Sequence, residues 1–499
     1  MKTKVIIIGS GLGGLSCGVI LAKNGYDVTV LEKEHQYGGC LQCFSRKGVK
    51  FETGMHFIGS TDKGQTLSRL LHYLEIEGDI TLSRLDPDGY DVVSLNGRDY
   101  RIPMGREAFI RQLSEYYPHQ HENITTYYNL IERLSSASSL HTMQEQNTFD
   151  AIGTEYQLRS VNEVIDSIIT DEMLAKVLVG HLPLYSGIKG RTPFSDHAFI
   201  TDFYNKSAYR IVGGSDGVAK ALVRVIEKYG GKVLTRMNVD HIVCDDTHAT
   251  DVEVKCGNTR RMLPADYIIA GIHPARTLEM LDTNLIRPAF RKRVSELPQT
   301  LGSFSVYLHF KENQVQYMNY NNYVYRDGDP WNCENYDDKS WPKGYLYMHF
   351  CDEDNQNFAK AGCVLSYMHI DDLKEWSNTR TGHRGQAYED FKKRKAERII
   401  DALNEKYPGI RNSIENYYTS TPLTYRDYTG TEQGSMYGIM HDITLGGACR
   451  IPQRTKIPNL LLTGQNINSH GMLGVLVGSI VTCSELLTAK EIYKQIQTI

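Results

Sequence analysis

The 499-residue chain is long enough for about three structural units, and its 41% hydrophobic and 23% charged residues exclude a disordered polymer. Its 55 basic and 59 acidic residues leave a formal charge of -4, which excludes a strongly basic nucleic-acid-binding surface. The 10 cysteines are scattered, as in a reducing compartment, and do not form a disulfide scaffold.

MKTK followed by VIII imitates the start of a secretory signal, but glycines interrupt the apolar run and a structural pattern continues through it. The longest uncharged stretches, 5–22 and 460–484, suit strand-turn-helix units better than membrane spans. A cytoplasmic protein is expected. Residues 5–15, VIIIGSGLGGL, read as a strand buried on both faces, then a turn, then a helix running to about Asn24. Gly9, Gly11 and Gly14 carry the G-x-G-x-x-G spacing: a tight turn, a close approach of backbone to a pyrophosphate, and close packing of helix on strand. The helix dipole then favours the phosphates. A second strand, YDVTVLE, ends in Glu32, whose carboxylate can accept both ribose hydroxyls. Ser10, Leu12 and Gly13 within the loop, and Lys33 after the acid, are expected to border the same nucleotide.

Residues 37–44, YGGCLQCF, and 50–59, KFETGMHFIG, follow. A plain nicotinamide domain has no need of the glycine pair Gly38–Gly39. The pair resembles the extended signature of glutathione-reductase-like flavoproteins, which implies FAD, with Cys40 beside it. Cys40 and Cys43 form a C-x-x-C, read here as packing rather than a redox dithiol; with no second ligand pair, no metal is expected. Helical patterns then dominate as far as residue 204, in REAFIRQLSEYY, ENITTYYNLIERLSS, VNEVIDSII and EMLAKVLVGHL. Gly213, Gly214 and Gly217 precede an amphipathic helix that Gly230 and Gly231 stop, and a strand pair follows. ADYIIAGIHP reads as a returning strand, and TLGSFSVYLHF as an alternating one. The tyrosines at 317, 320, 323, 325, 336, 345 and 347 are expected to face water on a sheet, with an apolar cavity lining as the alternative. The basic runs RPAFRKR and KKRK read as solvated helix faces, with attraction to an anionic membrane as the alternative. Finally, NLLLTG reads as a buried strand and GMLGVLVGSIVTC as a helix with Gly471, Gly474 and Gly478 on one face, open to a flat ring.

The blocks GGCxxxF, FETGMHFIG, PLTYRDYTGTEQGSMYG and LLLTGQNINSHGMLGVLVGS together resemble the retinol saturase branch of the phytoene desaturase and carotenoid isomerase flavoproteins. The resemblance implies an α/β, glutathione-reductase-like, Rossmann-type FAD-binding domain, formed discontinuously from 1–75, 205–285 and 430–499. It also implies an α+β substrate domain from 76–204 and 286–429. Val239 would meet the adenine through its backbone, Gly464 and Gln465 the ribityl and pyrophosphate, and Leu473, Gly474 and Val475 the ring. The activity implied is FAD-dependent redox chemistry on a carbon–carbon double bond of an apolar isoprenoid or polyene, saturation slightly favoured over desaturation or isomerisation. The electron donor or acceptor is unidentified. Such a reduction needs a hydride from the flavin and a proton from the protein. His56 is the first candidate for the proton, with His470 and Tyr437 behind it. Asn466 and Asn468 either reach the ring or cap the last helix. The rival readings are an amine-oxidase-like flavoprotein and a prenyl-binding carrier of the GDP-dissociation-inhibitor kind.

Overall fold

The computed structural model describes residues 2–143, 151–350 and 357–497. Its first sheet is parallel and five-stranded, in the order Lys232–Leu234, Asp27–Leu31, Lys4–Ile8, Tyr267–Ala270, Leu460–Leu462. The run VIII is central because both its faces are covered. Val5 and Ile7 pack under the helices Leu12–Lys23, Asp216–Lys228 and Gly471–Cys483. Ile6 and Ile8 pack against a three-stranded antiparallel sheet, Asn238–Cys244, Ala249–Cys256 and Thr259–Pro264, through Val239, Ile242, Val252 and Val254. The expected α/β fold class is the one observed.

A second, seven-stranded sheet runs Ile414–Ser420, Gly302–Phe310, Ala361–Met368, Gly344–Phe350, Asn321–Tyr325, Asp91–Leu95, Arg98–Ile102. One pairing in it, Asn321–Tyr325 with Asp91–Leu95, is parallel, and the others are antiparallel. One face lies under a helical layer that includes Arg106–Tyr116, His121–Ala137 and Phe194–Lys206; the other lies under Gln386–Lys406.

Two expectations need correction here, and one gains a detail. The stretch up to residue 204 is mostly helical, and within it Asp91–Leu95 and Arg98–Ile102 form a hairpin in the sheet. Its turn is Asn96-Gly97, both at positive φ, the strongest short-range hairpin signal a sequence carries. Four of the seven tyrosines do not face water: Tyr323, Tyr325, Tyr345 and Tyr347 are buried, since both sheet faces are covered, while Tyr317, Tyr320 and Tyr336 are half-buried. Three of the four buried hydroxyls find partners within: Tyr325 donates to Gly180 O at 2.6 Å, Tyr345 to Ala402 O at 3.2 Å, and Tyr347 bonds His349 Nε2 at 2.5 Å. The basic runs are not uniformly solvated. Arg291 donates to Leu281 O and Thr283 O, and Lys395 is buried on Asp338 and the Trp341 ring. Among the described residues, no helix is long and apolar enough to cross a membrane.

Candidate functional site

The parallel strands deliver Ile8, Leu31, Gly271 and Thr463 to one rim, where a cleft of about 850 Å³ opens. Carboxyl ends of strands in open α/β sheets are where ligands bind. Gly9, Ser10, Gly11, Leu12, Gly13, Glu32, Lys33, Gly38, Gly39, Cys40, Val239, Gly464, Gln465 and Val475 all line it.

Packing gives the glycines distinct duties. A Cβ at Gly14 would lie 2.1 Å from Gly9 O, so only glycine lets this helix sit on its strand. A Cβ on Gly13 would lie 2.9 Å from Gly464 Cα, so the first and last crossovers touch backbone to backbone. Gly11 is different: a Cβ there meets nothing within 4 Å and would project into the cleft. The helices Leu12–Lys23 and Gly471–Cys483 both begin at this wall, and among the described residues neither has a side-chain N-cap. Their free N–H groups suit an anion. Glu32 is tied into the same frame. Ser10 donates to its Oε2 from the backbone (3.1 Å) and the hydroxyl (2.5 Å), and Glu34 N–H donates to Oε1 at 2.9 Å. An open glycine cradle, two uncapped helix starts and a fixed acid fit the diphosphate and ribose of a dinucleotide.

The other end of the cleft is apolar. Phe57, Leu184, Tyr204 and Met436 meet Leu346 and Leu365, which come from the seven-stranded sheet. His56 borders this end, its ring stacked on Phe350 at 6.2 Å. Burial, with the Arg210 guanidinium nearby, pushes the imidazole down to about 4, so it is neutral at pH 7.

Tyr437 lines the cleft, but its hydroxyl donates to Pro183 O at 2.9 Å. His470 is not on the cleft wall. It lies behind Tyr437, with ring centroids 4.5 Å apart, and beside a His441–Asp196 pair bonded at 2.7 Å. Burial pushes His470 down to about 4, against the pull of Asp196. The glycine face of the last helix also needs correction. A Cβ on Gly474 would strike Ser469, and one on Gly478 would meet Asn468, so this face packs on the preceding loop and only Gly471 borders the cleft. Leu473 points away into the helical core, and Gly474 and Gly14 do not line the cleft either. Asn466 lines it while accepting from Ile439 N–H at 2.9 Å, and neither asparagine gives the last helix a side-chain cap. Cys40 borders the cleft and Cys43 is buried near Ser215; burial pushes both thiols up to about 11, the inert direction for a dithiol. Among the described residues, no group of side chains has the makings of a metal site.

Several wall residues escaped sequence reasoning. Arg426, Asp427 and Tyr428 come from the helix Pro422–Thr429, and nothing in TYRDYTG gives its destination. Arg276 and Arg380 also line the cleft, and nothing in their local sequence signals it.

The flavin containing amine oxidoreductase family matches residues 12–479 of the chain. The all-trans-retinol 13,14-reductase of Homo sapiens is 27% identical, covering 100% of this chain and 87% of that protein. Prolycopene isomerase 1, chloroplastic, of an Oncidium hybrid cultivar is 25% identical, covering 94% of this chain and 82% of that protein. Among solved structures, an oxidoreductase from Methanosarcina mazei superposes with a TM-score of 0.65 at 17% identity, covering 96% of this chain and 99% of its own. Cyclohexylamine oxidase from Brevibacterium oxydans superposes with a TM-score of 0.61 at 15% identity over 100% of both chains.

Proposed function

The chain belongs to the flavin containing amine oxidoreductase family, and from that premise we propose that it reduces a carbon–carbon double bond in a polyene lipid. It is an FAD-dependent oxidoreductase, which sets aside the carrier reading. The apolar end of the cleft carries the substrate proposal: Phe57, Leu184, Leu346, Leu365 and Met436 offer an extended hydrocarbon surface broken by one imidazole, His56. The names of the retinol reductase and the prolycopene isomerase support the same substrate class.

Gly11 and the two helix starts would hold the FAD diphosphate, and Glu32 the ribose. Bound FAD supplies hydride transfer. The aliphatic wall would exclude water and align the polyene along the cleft, where burial strengthens each polar contact. His56 would deliver the proton at the neighbouring carbon. Tyr437 would serve as wall, since its hydroxyl is committed to Pro183, and His470 would support that wall from behind.

The test is anaerobic reduction of the purified holoprotein, followed by retinoids, carotenoids and amines in separate mixings. Re-oxidation of the flavin by a retinoid or carotenoid, with a saturated product, is the expected result. Indifference to polyenes, together with amine-dependent peroxide formation in air, would overturn the proposal in favour of an amine oxidase.

A further inference from the structure

We propose that Glu52 is the proton source for His56: its carboxyl acid feeds Nδ1 of the imidazole as the Nε2 proton leaves for the substrate. The inference deepens the reading of His56 as the group that protonates the substrate, and rests on it.

The hairpin Cys43–Arg46 and Val49–Glu52 carries Glu52 inward, and Thr53-Gly54-Met55 returns the chain to the cleft at His56. Glu52 is 6% exposed and its Oε2 lies 3.8 Å from His56 Nδ1. That nitrogen is buried and, among the described residues, has no hydrogen-bond partner. An imidazole bordering the cleft, with an orphaned nitrogen turned to a buried carboxyl, leaves Nε2 for a ligand. Catalytic hydrogen bonds are often long before substrate arrives, and closing this gap takes a movement of about 1 Å.

The surroundings set the charge state. Arg210, 2% exposed, donates to His56 O at 3.4 Å and to Asn321 Oδ1 at 3.0 Å. Around Glu52 stand Arg210, Asp216 and Lys50, with the thiols of Cys43 and Cys363 also nearby. Burial pushes Glu52 up to about 8, against the pull of Arg210, while burial and Arg210 push His56 down to about 4. At neutral pH the pair is therefore a carboxylic acid beside a neutral imidazole.

That state makes a second proton necessary. An imidazolium is scarce here, and a neutral imidazole is far too weak an acid to donate alone. It releases the Nε2 proton when Nδ1 gains one. In the proposed step the substrate C–H bond forms as Nε2–H breaks, and Nδ1–H forms as the Glu52 O–H breaks. The ring ends neutral in the opposite tautomer, and the new carboxylate stands in the field of Arg210. Only protons move in this relay; the electron pair enters with the hydride. Glu52 touches neither substrate nor cofactor, so it is a positioning residue that acts through His56.

The FAD-loaded protein, labelled with ¹⁵N-histidine, tests this without substrate. The His56 ring signals are assigned by their loss in His56→Phe, and retained flavin absorbance certifies folding. In wild type they should move with a midpoint near 8 as Glu52 ionises. The movement should vanish in Glu52→Gln and persist, displaced, in Glu52→Asp. Identical titrations in wild type and Glu52→Gln overturn the proposal. With a polyene that re-oxidises the flavin, the single-turnover rate should fall above the same midpoint. Glu52→Gln should be at least about tenfold slower with a flat profile; a wild-type profile in that variant also overturns the proposal. If no polyene is reduced, the function assigned to the cleft fails, while the ring-nitrogen titration still decides the Glu52–His56 pairing.

Discussion

Replacing Gly11 with alanine separates the cofactor's needs from those of the fold. Gly11 has φ -64° and ψ 173°, a region open to any residue, and its Cβ position is empty space at the cleft wall. The apoprotein should therefore keep its stability or gain about 0.4–1 kcal/mol, because alanine has less freedom to lose on folding. The same methyl would occupy room that a diphosphate placed over Gly11 needs. Overpacking by one carbon costs about 1–3 kcal/mol, so FAD should bind roughly 5–150-fold more weakly. Gly14→Ala is the opposite control. Its methyl lies 2.1 Å from Gly9 O, against an ordinary contact of 3.4–4 Å, and the obstacle is backbone. That apoprotein should lose about 1–3 kcal/mol or more. Thermal unfolding of the apoproteins and fluorescence titration with FAD measure both effects. Unchanged FAD affinity in Gly11→Ala would refute the placement of the diphosphate over residue 11.

Three further outcomes are expected. His56→Phe should stay yellow and lose about 10²–10⁴-fold in single-turnover reduction, the usual contribution of a positioned acid; stopped-flow absorbance checks it. Tyr437→Phe should cost about 1 kcal/mol through the lost bond to Pro183 O and change turnover only a few-fold; a loss as large as that of His56→Phe would make the phenol the donor. The raised pKa of Glu52 sets a pH signature in stability. Its contribution is fully present below the ordinary carboxyl value of about 4.3 and is lost as the pH rises through about 8. Glu52→Gln should therefore match wild type in melting temperature near pH 4 and exceed it near pH 8, and a constant offset between the two would contradict the buried acid.

The legible parts of the molecule are those in which one short segment carries the whole physical reason. VIIIGSGLGG shows in ten residues a two-faced strand, a turn and a packed helix. NLLLTG shows its own burial in the same way. The Asn96-Gly97 hairpin was equally visible and was passed over because helical patterns surround it. The tyrosines were misread because exposure depends on what covers a sheet, and Gln386–Lys406 arrives from far along the chain. The glycine face of the last helix packs on its own preceding loop rather than on the cleft, because shared spacing on a helix says which residues lie on one face, not which neighbour that face meets. Glu52 had no local signal at all, since its meaning comes from Arg210 on another strand and from a depth in the protein that no pattern near FETGMH records.

The order of strands in the parallel sheet has a consequence for how the chain is made. Lys4–Ile8 has one partner close by in the chain, Asp27–Leu31, yet its other partner Tyr267–Ala270 emerges hundreds of residues later, and the edge strand Leu460–Leu462 later still. The nascent chain must carry an unpaired apolar strand edge through that interval before the sheet can close, and non-local pairings of this kind fold slowly and invite aggregation. Expression yield should therefore respond to chaperone supply and growth temperature more than to substitutions on the surface.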